Sequence, residues 1–152
     1  MLTKTVKFLI MLLGVVNTGC SSQSQSSIDK VAEPIINSFF KGISNGEITK
    51  SLVELLSNNE NINLQDSATI SLQEKFNMIN EAAGAYMGSR LLKKRNIEND
   101  ISIYSYLVKY EKKFYRFVFM FYNNGKRTKI YKFLYDDSID VELEESLKLY
   151  VN

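Results

Sequence analysis

The hydrophobic residues of this chain change their spacing once, and that change constrains the fold more than any other feature. Between residues 28 and 83 they recur every three or four positions, as on one face of a helix, and between residues 101 and 135 they alternate, as in a strand. Helices that precede a set of strands favour the α+β class, in which the helices cover one face of an antiparallel sheet. The sequence therefore predicts a single α+β domain over residues 28–152.

Two helices are predicted in the first part of this domain. The first begins near Ile28 and stops at Asn45 and Gly46, which commonly end helices. Pro34 fits only near the first turn of such a helix or at a kink, because it lacks a backbone N–H. A shorter second helix is predicted over residues 48–56.

A third helix is predicted after an Asn-rich loop at residues 57–66. Ser71 and Glu74 have the spacing of a capping box, so Ser71 is expected to cap this helix at its N-terminus. Gly84 is the expected end. The pattern that follows is no longer helical.

Four antiparallel strands in meander order are predicted next. Residues 101–110, 115–122 and 129–135 alternate clearly, and residues 86–94 form a weaker candidate. The run from Asn123 to Gly125 is typical of a hairpin turn, because Asn and Gly tolerate positive φ angles. The acidic residues 136–150 are expected to form a terminal helix that presents Val141, Leu143, Leu147 and Tyr150.

The composition excludes several chemistries. The chain has no histidine, and Cys20 is its only cysteine. Ser–His–Asp and Cys–His catalysis, disulfide bonds within the chain and zinc sites built from His or Cys are therefore excluded. Only Glu111 is acidic between residues 101 and 134, so the strands offer almost no general acid or base. The sequence predicts a protein that is not an enzyme and that has no metal and no cofactor, although a carboxylate site for Ca²⁺ is still possible.

The N-terminus has the pattern of an export signal. Lys4 and Lys7 precede the apolar residues 8–16, a run that is too short to span a bilayer. Thr18-Gly19-Cys20 resembles a lipobox, the bacterial motif that is cut before a cysteine which is then acylated. Asn17 departs from the Leu or Val that is usual before this motif.

The lipobox resemblance implies a division of the N-terminus and a location. Residues 1–19 would be the lipoprotein signal peptide, and residues 20–27 would be the lipidated Cys20 with a flexible Ser/Gln tether. The protein would be bound to the bacterial cell envelope through its lipid. The outer membrane is favoured if the source is Gram-negative, because Ser21 stands where an Asp would favour inner-membrane retention.

The order of elements resembles the cystatin-like/NTF2-like class of small cone-shaped domains. The residues that carry this resemblance are 38–46, at the end of the first helix, and the strand pair 107–110 and 117–121. In that class the mouth of the cone often holds a small molecule. The resemblance implies a ligand-binding role for Phe117, Phe119 and Phe121; ordinary core packing of the three rings is the alternative.

A second row of aromatic residues is predicted on the neighbouring strand. Tyr104, Tyr106 and Tyr110 alternate there, and a tyrosine side chain tolerates a half-wet surface. If the helices cover the other face of the sheet, this row is exposed and suits a protein partner or a homodimer contact. An ordinary, partly solvated sheet face is the alternative.

Together these patterns predict a lipid-anchored envelope protein that binds a small apolar ligand or a protein partner without catalysis. The alternative is a structural or toxin-neutralising envelope lipoprotein that acts through protein–protein contact. Interleaved Tyr and Lys residues are also found in single-strand nucleic-acid platforms. An exported lipoprotein rarely meets nucleic acid, so no nucleic-acid partner is expected.

Overall fold

The computed structural model describes residues 27–98 and 100–139, which contain three helices followed by four strands. The helices are α1 (Asp29–Ser44), α2 (Ile48–Ser57) and α3 (Ser67–Ala83). The strands are β1 (Tyr86–Ile97), β2 (Ile101–Tyr110), β3 (Phe114–Asn123) and β4 (Thr128–Asp136). The predicted α+β architecture, with the helices before the sheet, is confirmed.

The four strands form one antiparallel sheet in the order β1-β2-β3-β4, so β1 and β4 are its edges. This is the predicted meander. The β3–β4 turn contains Gly125 at a φ of +81°, and the backbone N–H of Asn124 donates to the carbonyl of Arg127 at 3.2 Å. The hairpin predicted at Asn123 to Gly125 is therefore confirmed.

The helices pack on one face of the sheet, which we call the inner face; the opposite face is the outer face. Phe39 and Phe40 of α1 contact the rings of Phe117 and Phe119 on β3, and Phe76 of α3 contacts Phe117. Each fully buried aromatic ring removes a large apolar area from water, so this aromatic layer contributes strongly to the stability of the fold. The other buried core residues of the inner face include Ala32, Ile36, Ile43, Leu52, Leu55, Ile79, Val108 and Ile130.

One helix start agrees with the sequence-based predictions and one differs. Helix α1 begins at Asp29, as the predicted start near Ile28 requires, and Pro34 lies inside this helix, beyond its first turn. Helix α3 begins after Asp66, whose side chain accepts a hydrogen bond from the backbone N–H of Thr69 at 2.7 Å. The predicted cap at Ser71 is wrong, because Asp66, five residues earlier in the chain, already caps the N-terminus of this helix.

Several predictions lie outside the described residues. These are the signal peptide at 1–19, the tether up to residue 26 with the proposed lipidation site Cys20, and the terminal helix from residue 140 onward. The start predicted for that helix is wrong, because Asp136 is the last residue of β4. Within residues 27–98 and 100–139, no helix is both long enough and apolar enough to cross a membrane.

Candidate functional site

The three phenylalanines predicted to line a ligand cavity lie within the core. Phe117, Phe119 and Phe121 have no exposed surface. Their rings meet other rings at centroid distances of 5.3 Å (Phe39 to Phe119) and 5.5 Å (Phe76 to Phe117). The space that a ligand would need beside them is filled by side chains of α1 and α3.

The tyrosines predicted as an exposed row lie on the same face as these phenylalanines. Tyr104 pairs with Phe119 across the β2–β3 ladder, and Tyr106 pairs with Phe117. Tyr104 is 1% exposed and Tyr110 is 3% exposed, while Tyr106 is partly buried. The prediction of an exposed tyrosine row is therefore wrong: residues opposite each other in a ladder share one face, and here the helices cover that face.

Tyr104 belongs to a buried polar cluster that sequence reasoning missed. Its hydroxyl donates to Asp29 Oδ1 at 2.5 Å, and Lys94 Nζ lies 2.7 Å from Asp29 Oδ2. Lys94 also lies above the Tyr104 ring, 5.3 Å from its centroid. The cluster joins the first turn of α1 to β1 and β2, so it fixes the helix on the sheet.

An Asp–Tyr pair is a possible acid–base pair, and its accessibility decides whether it can act as one. The side chain of Asp29 is 3% exposed and Tyr104 is 1% exposed. A general acid or base has to come within hydrogen-bond reach of its substrate. This pair is closed to a substrate in the structure, and its geometry is that of a structural clamp.

Burial of these tyrosines predicts a loss of stability at alkaline pH. Desolvation and the neighbouring Asp29 raise the pKa of Tyr104 above the ordinary value of about 10, and desolvation also raises the pKa of Tyr110. The pKa of each of these tyrosines is higher in the folded protein than in the unfolded chain. Their contribution to the free energy of unfolding is therefore complete below a pH of about 10 and is lost as the pH rises beyond it. We expect urea midpoints to fall above pH 10, with tyrosinate absorbance rising in step with unfolding; an unchanged midpoint at pH 11 would contradict this.

A cavity lies on the outer face of the sheet, at the end where β2 begins and β3 ends. Its volume is about 640 Å³, which lies within the usual range of small-molecule sites. The sheet provides one wall, and the loop between α2 and α3 provides another. The lining residues are Asn59, Asn61, Ile62, Ile101, Met120, Tyr122, Asn124, Lys129 and Tyr131.

The loop wall of this cavity is tied to the edge strand β4. Asn59 is buried and donates its side-chain amide to the backbone carbonyl of Ile130 at 2.8 Å. Glu60 accepts from Lys129 Nζ at 3.0 Å and also pairs with Arg127. These contacts cover part of an edge strand, which would otherwise present unpaired backbone groups, and they hold the loop beside the cavity.

The lining of the cavity suits an amphipathic molecule. Ile62, Ile101, Met120 and the rings of Tyr122 and Tyr131 provide apolar surface. The polar groups of the lining side chains are three asparagine amides, the ammonium group of Lys129 and the hydroxyls of the two tyrosines. Sites for small molecules commonly combine apolar walls with a few polar groups that fix the orientation of the ligand.

Two other kinds of site are poorly supported. A second cavity of about 230 Å³ lies between α1 and α2, near Pro34 and Leu55, and is small for a ligand. No group of three or more Asp, Glu, Cys or His residues that could hold a metal ion occurs among residues 27–98 and 100–139.

Comparison with protein-family models, with curated proteins and with solved structures finds no match to this chain.

Proposed function

We propose that this protein is a lipid-anchored component of the bacterial cell envelope that binds a small amphipathic molecule in the outer-face cavity. The cavity of about 640 Å³ is the observation that carries the binding role. The pattern that ends in Thr18-Gly19-Cys20 supports the anchor. The role is a binding role and not a catalytic one.

The anchor would keep the cavity close to a membrane. A flexible tether of seven residues has a typical reach of roughly 13–16 Å, which is less than the width of the folded domain. A domain held so close to a bilayer meets amphipathic molecules at high local concentration. The proposed location at a membrane therefore supports an amphipathic molecule as the ligand.

The chemistry of the side chains supports binding without catalysis. Histidine is missing from the sequence, and the buried Asp29–Tyr104 pair is closed to a substrate. The cavity itself is lined by amides, apolar groups, two tyrosines and Lys129, and none of these lining residues carries a carboxylate; the ammonium group of Lys129 is paired with Glu60. General acid–base catalysis needs a group that exchanges a proton with the substrate near the working pH.

For the fold family, we propose the cystatin-like/NTF2-like class. Three helices before a four-stranded meander, with the long α1 packed across the sheet, support this proposal. The ligand site that we propose differs from the mouth of the cone in that class. It lies on the outer face of the sheet, because aromatic rings fill the space between the helices and the sheet.

The binding role can be tested with an apolar anionic dye. The chain from residue 20 onward, with Cys20→Ser, would be titrated with 1-anilinonaphthalene-8-sulfonate. Tyr131 lines the cavity and is 61% exposed, so Tyr131→Ser should fold normally but lose a ring contact with the dye. We expect its dissociation constant to rise about tenfold, which corresponds to about 1.4 kcal/mol.

Phe114→Ser is the matched control for this experiment. Phe114 is an exposed aromatic residue at the start of β3, and it does not line the cavity. The dissociation constant of the Phe114→Ser protein for the dye should match that of the parent chain within about twofold. Equal effects of the two substitutions, or no saturable binding by the parent chain, would overturn the proposed site.

A further inference from the structure

The outer face of the sheet combines an apolar centre with basic edges. Ile103, Leu107, Val118 and Met120 form the centre on β2 and β3, at positions that alternate with the buried inner row. The edge strands carry cations on the same face, at positions that pair with outer-face residues of β2 and β3: Lys93 and Arg95 on β1, and Lys132 on β4. None of the described helices packs on this face.

Two burial values indicate that the outer face is covered. Ser105 lies at the centre of the outer face, between Lys93 and Val118 in the ladders, yet only 6% of it is exposed. Ile139 is 4% exposed but is not a member of the inner-face core. The chain after β4 has therefore turned back onto the protein at a surface other than that core.

We propose that the outer face is the docking site of this chain's own residues 140–152, which lie along it as an amphipathic helix. The sequence of this segment carries both patterns that the face requires. On a helix, Ile139, Leu143, Leu147 and Tyr150 share one stripe, because they are spaced four, four and three residues apart. Such a stripe matches the apolar centre of the outer face.

Charge complementarity supports the same occupant. Residues 140–152 contain four acids (Asp140, Glu142, Glu144 and Glu145) and one lysine. At 100° per residue, Glu142 and Glu144 lie on opposite sides of Leu143, so they flank the apolar stripe on both sides. The cations of the outer face also flank its apolar centre on both edges, and opposite charges therefore meet along both sides of the docked helix.

The length and the starting point of the segment also fit. Thirteen helical residues are roughly 20 Å long. The outer face from Arg116 to Tyr122 covers seven residues of β3, whose six steps along the strand are also roughly 20 Å long. The start is fixed at the Arg116 end, where Asp136 accepts from Arg116 at 2.9 Å and Lys113 donates to Asp137 at 2.5 Å.

The proposal can be tested by thiol accessibility in the full mature chain. In the Cys20→Ser background, Ser105→Cys places a single thiol at the centre of the outer face. We expect a polyethylene-glycol maleimide to label this thiol slowly.

Leu147→Asp puts a charge into the apolar stripe and should speed labelling at least tenfold, because a charge without a partner does not stay buried. Lys148→Asp, on the opposite side of the helix, is the matched control and should change the rate less than twofold.

Val118→Cys is a second reporter on the neighbouring strand, and it serves if Ser105→Cys does not fold. Faster labelling with Leu147→Asp, together with an unchanged rate with Lys148→Asp, supports the proposal. Equal rates with and without Leu147→Asp overturn it, whether both rates are fast or slow. Protection that appears only as the protein concentration rises also overturns it, because the occupant would then be a second copy of the chain.

Discussion

Phe117→Ala should lower the free energy of unfolding by about 3–5 kcal/mol, the usual cost of replacing a buried Phe by Ala. Phe117 is fully buried and touches rings of α1, α3 and β4, among them Phe39, Phe76 and Phe133. Removing its ring leaves a cavity at the point where these elements meet. Urea unfolding of the Cys20→Ser chain, followed by circular dichroism, measures the difference.

Phe114→Ala is the control for this substitution. Phe114 begins the same strand but is 49% exposed, so its loss should change the free energy of unfolding by less than about 0.5 kcal/mol. If Phe117→Ala cost less than 1 kcal/mol, Phe117 would not lie at the centre of the core. A ligand cavity beside this ring would then have to be reconsidered.

Asp29→Asn should lower the free energy of unfolding by about 2–3 kcal/mol. The substitution keeps the size of the side chain but removes the charge that Lys94 faces at 2.7 Å. A buried hydrogen bond to a charged group contributes about 1.5–3 kcal/mol. The loss should stay below that of a fully buried ion pair, because the Lys94 side chain is 28% exposed and can turn toward water.

Glu33→Gln separates the buried contact from a surface effect. Glu33 meets the same Lys94 at 3.5 Å but is 41% exposed, so its substitution should cost less than about 1 kcal/mol. A double-mutant cycle of Asp29→Asn with Tyr104→Phe should show coupling, because the two side chains share a hydrogen bond. Equal losses for Asp29→Asn and Glu33→Gln would contradict the clamp.

The elements of this fold could be predicted from the sequence because their signals are local. Period and turn residues identified three helices and four strands. The turn at Asn123 to Gly125 needs positive φ, and that requirement restricts the residue types in a recognisable way. The start of α3 was missed because Asp66 and Ser71 are both acceptable caps, and the choice between them depends on loop contacts that are not local.

The faces of the sheet were harder to predict. Both rows of β2 contain residues that can be buried, so alternation alone does not say which row faces the helices. The β2–β3 turn decides it, since the N–H of Tyr110 donates to the carbonyl of Lys113 at 2.9 Å and sets the ladder that pairs Tyr104 with Phe119. A shift of one residue in that turn would have reversed the assignment.

The cavity could not be predicted because its walls come from distant parts of the chain. Asn59 and Ile62 lie in a loop, Ile101 begins β2, and Tyr122 and Tyr131 lie on the two strands of the last hairpin. Each of these residues alone has an ordinary interpretation as loop or strand. The contacts of Asn59 with Ile130 and of Glu60 with Lys129 bring the loop to the sheet, and a single sequence carries no signal for them.

The proposed lipid anchor at Cys20 is tested most directly by fatty-acid labelling in a bacterial host. Cells that express the full precursor would be grown with a labelled palmitate analogue and then fractionated. We expect the wild-type protein to carry the label and to sediment with membranes, and Cys20→Ser to be unlabelled and soluble. Wild-type protein without label, or Cys20→Ser protein that still sediments with membranes, would contradict the account.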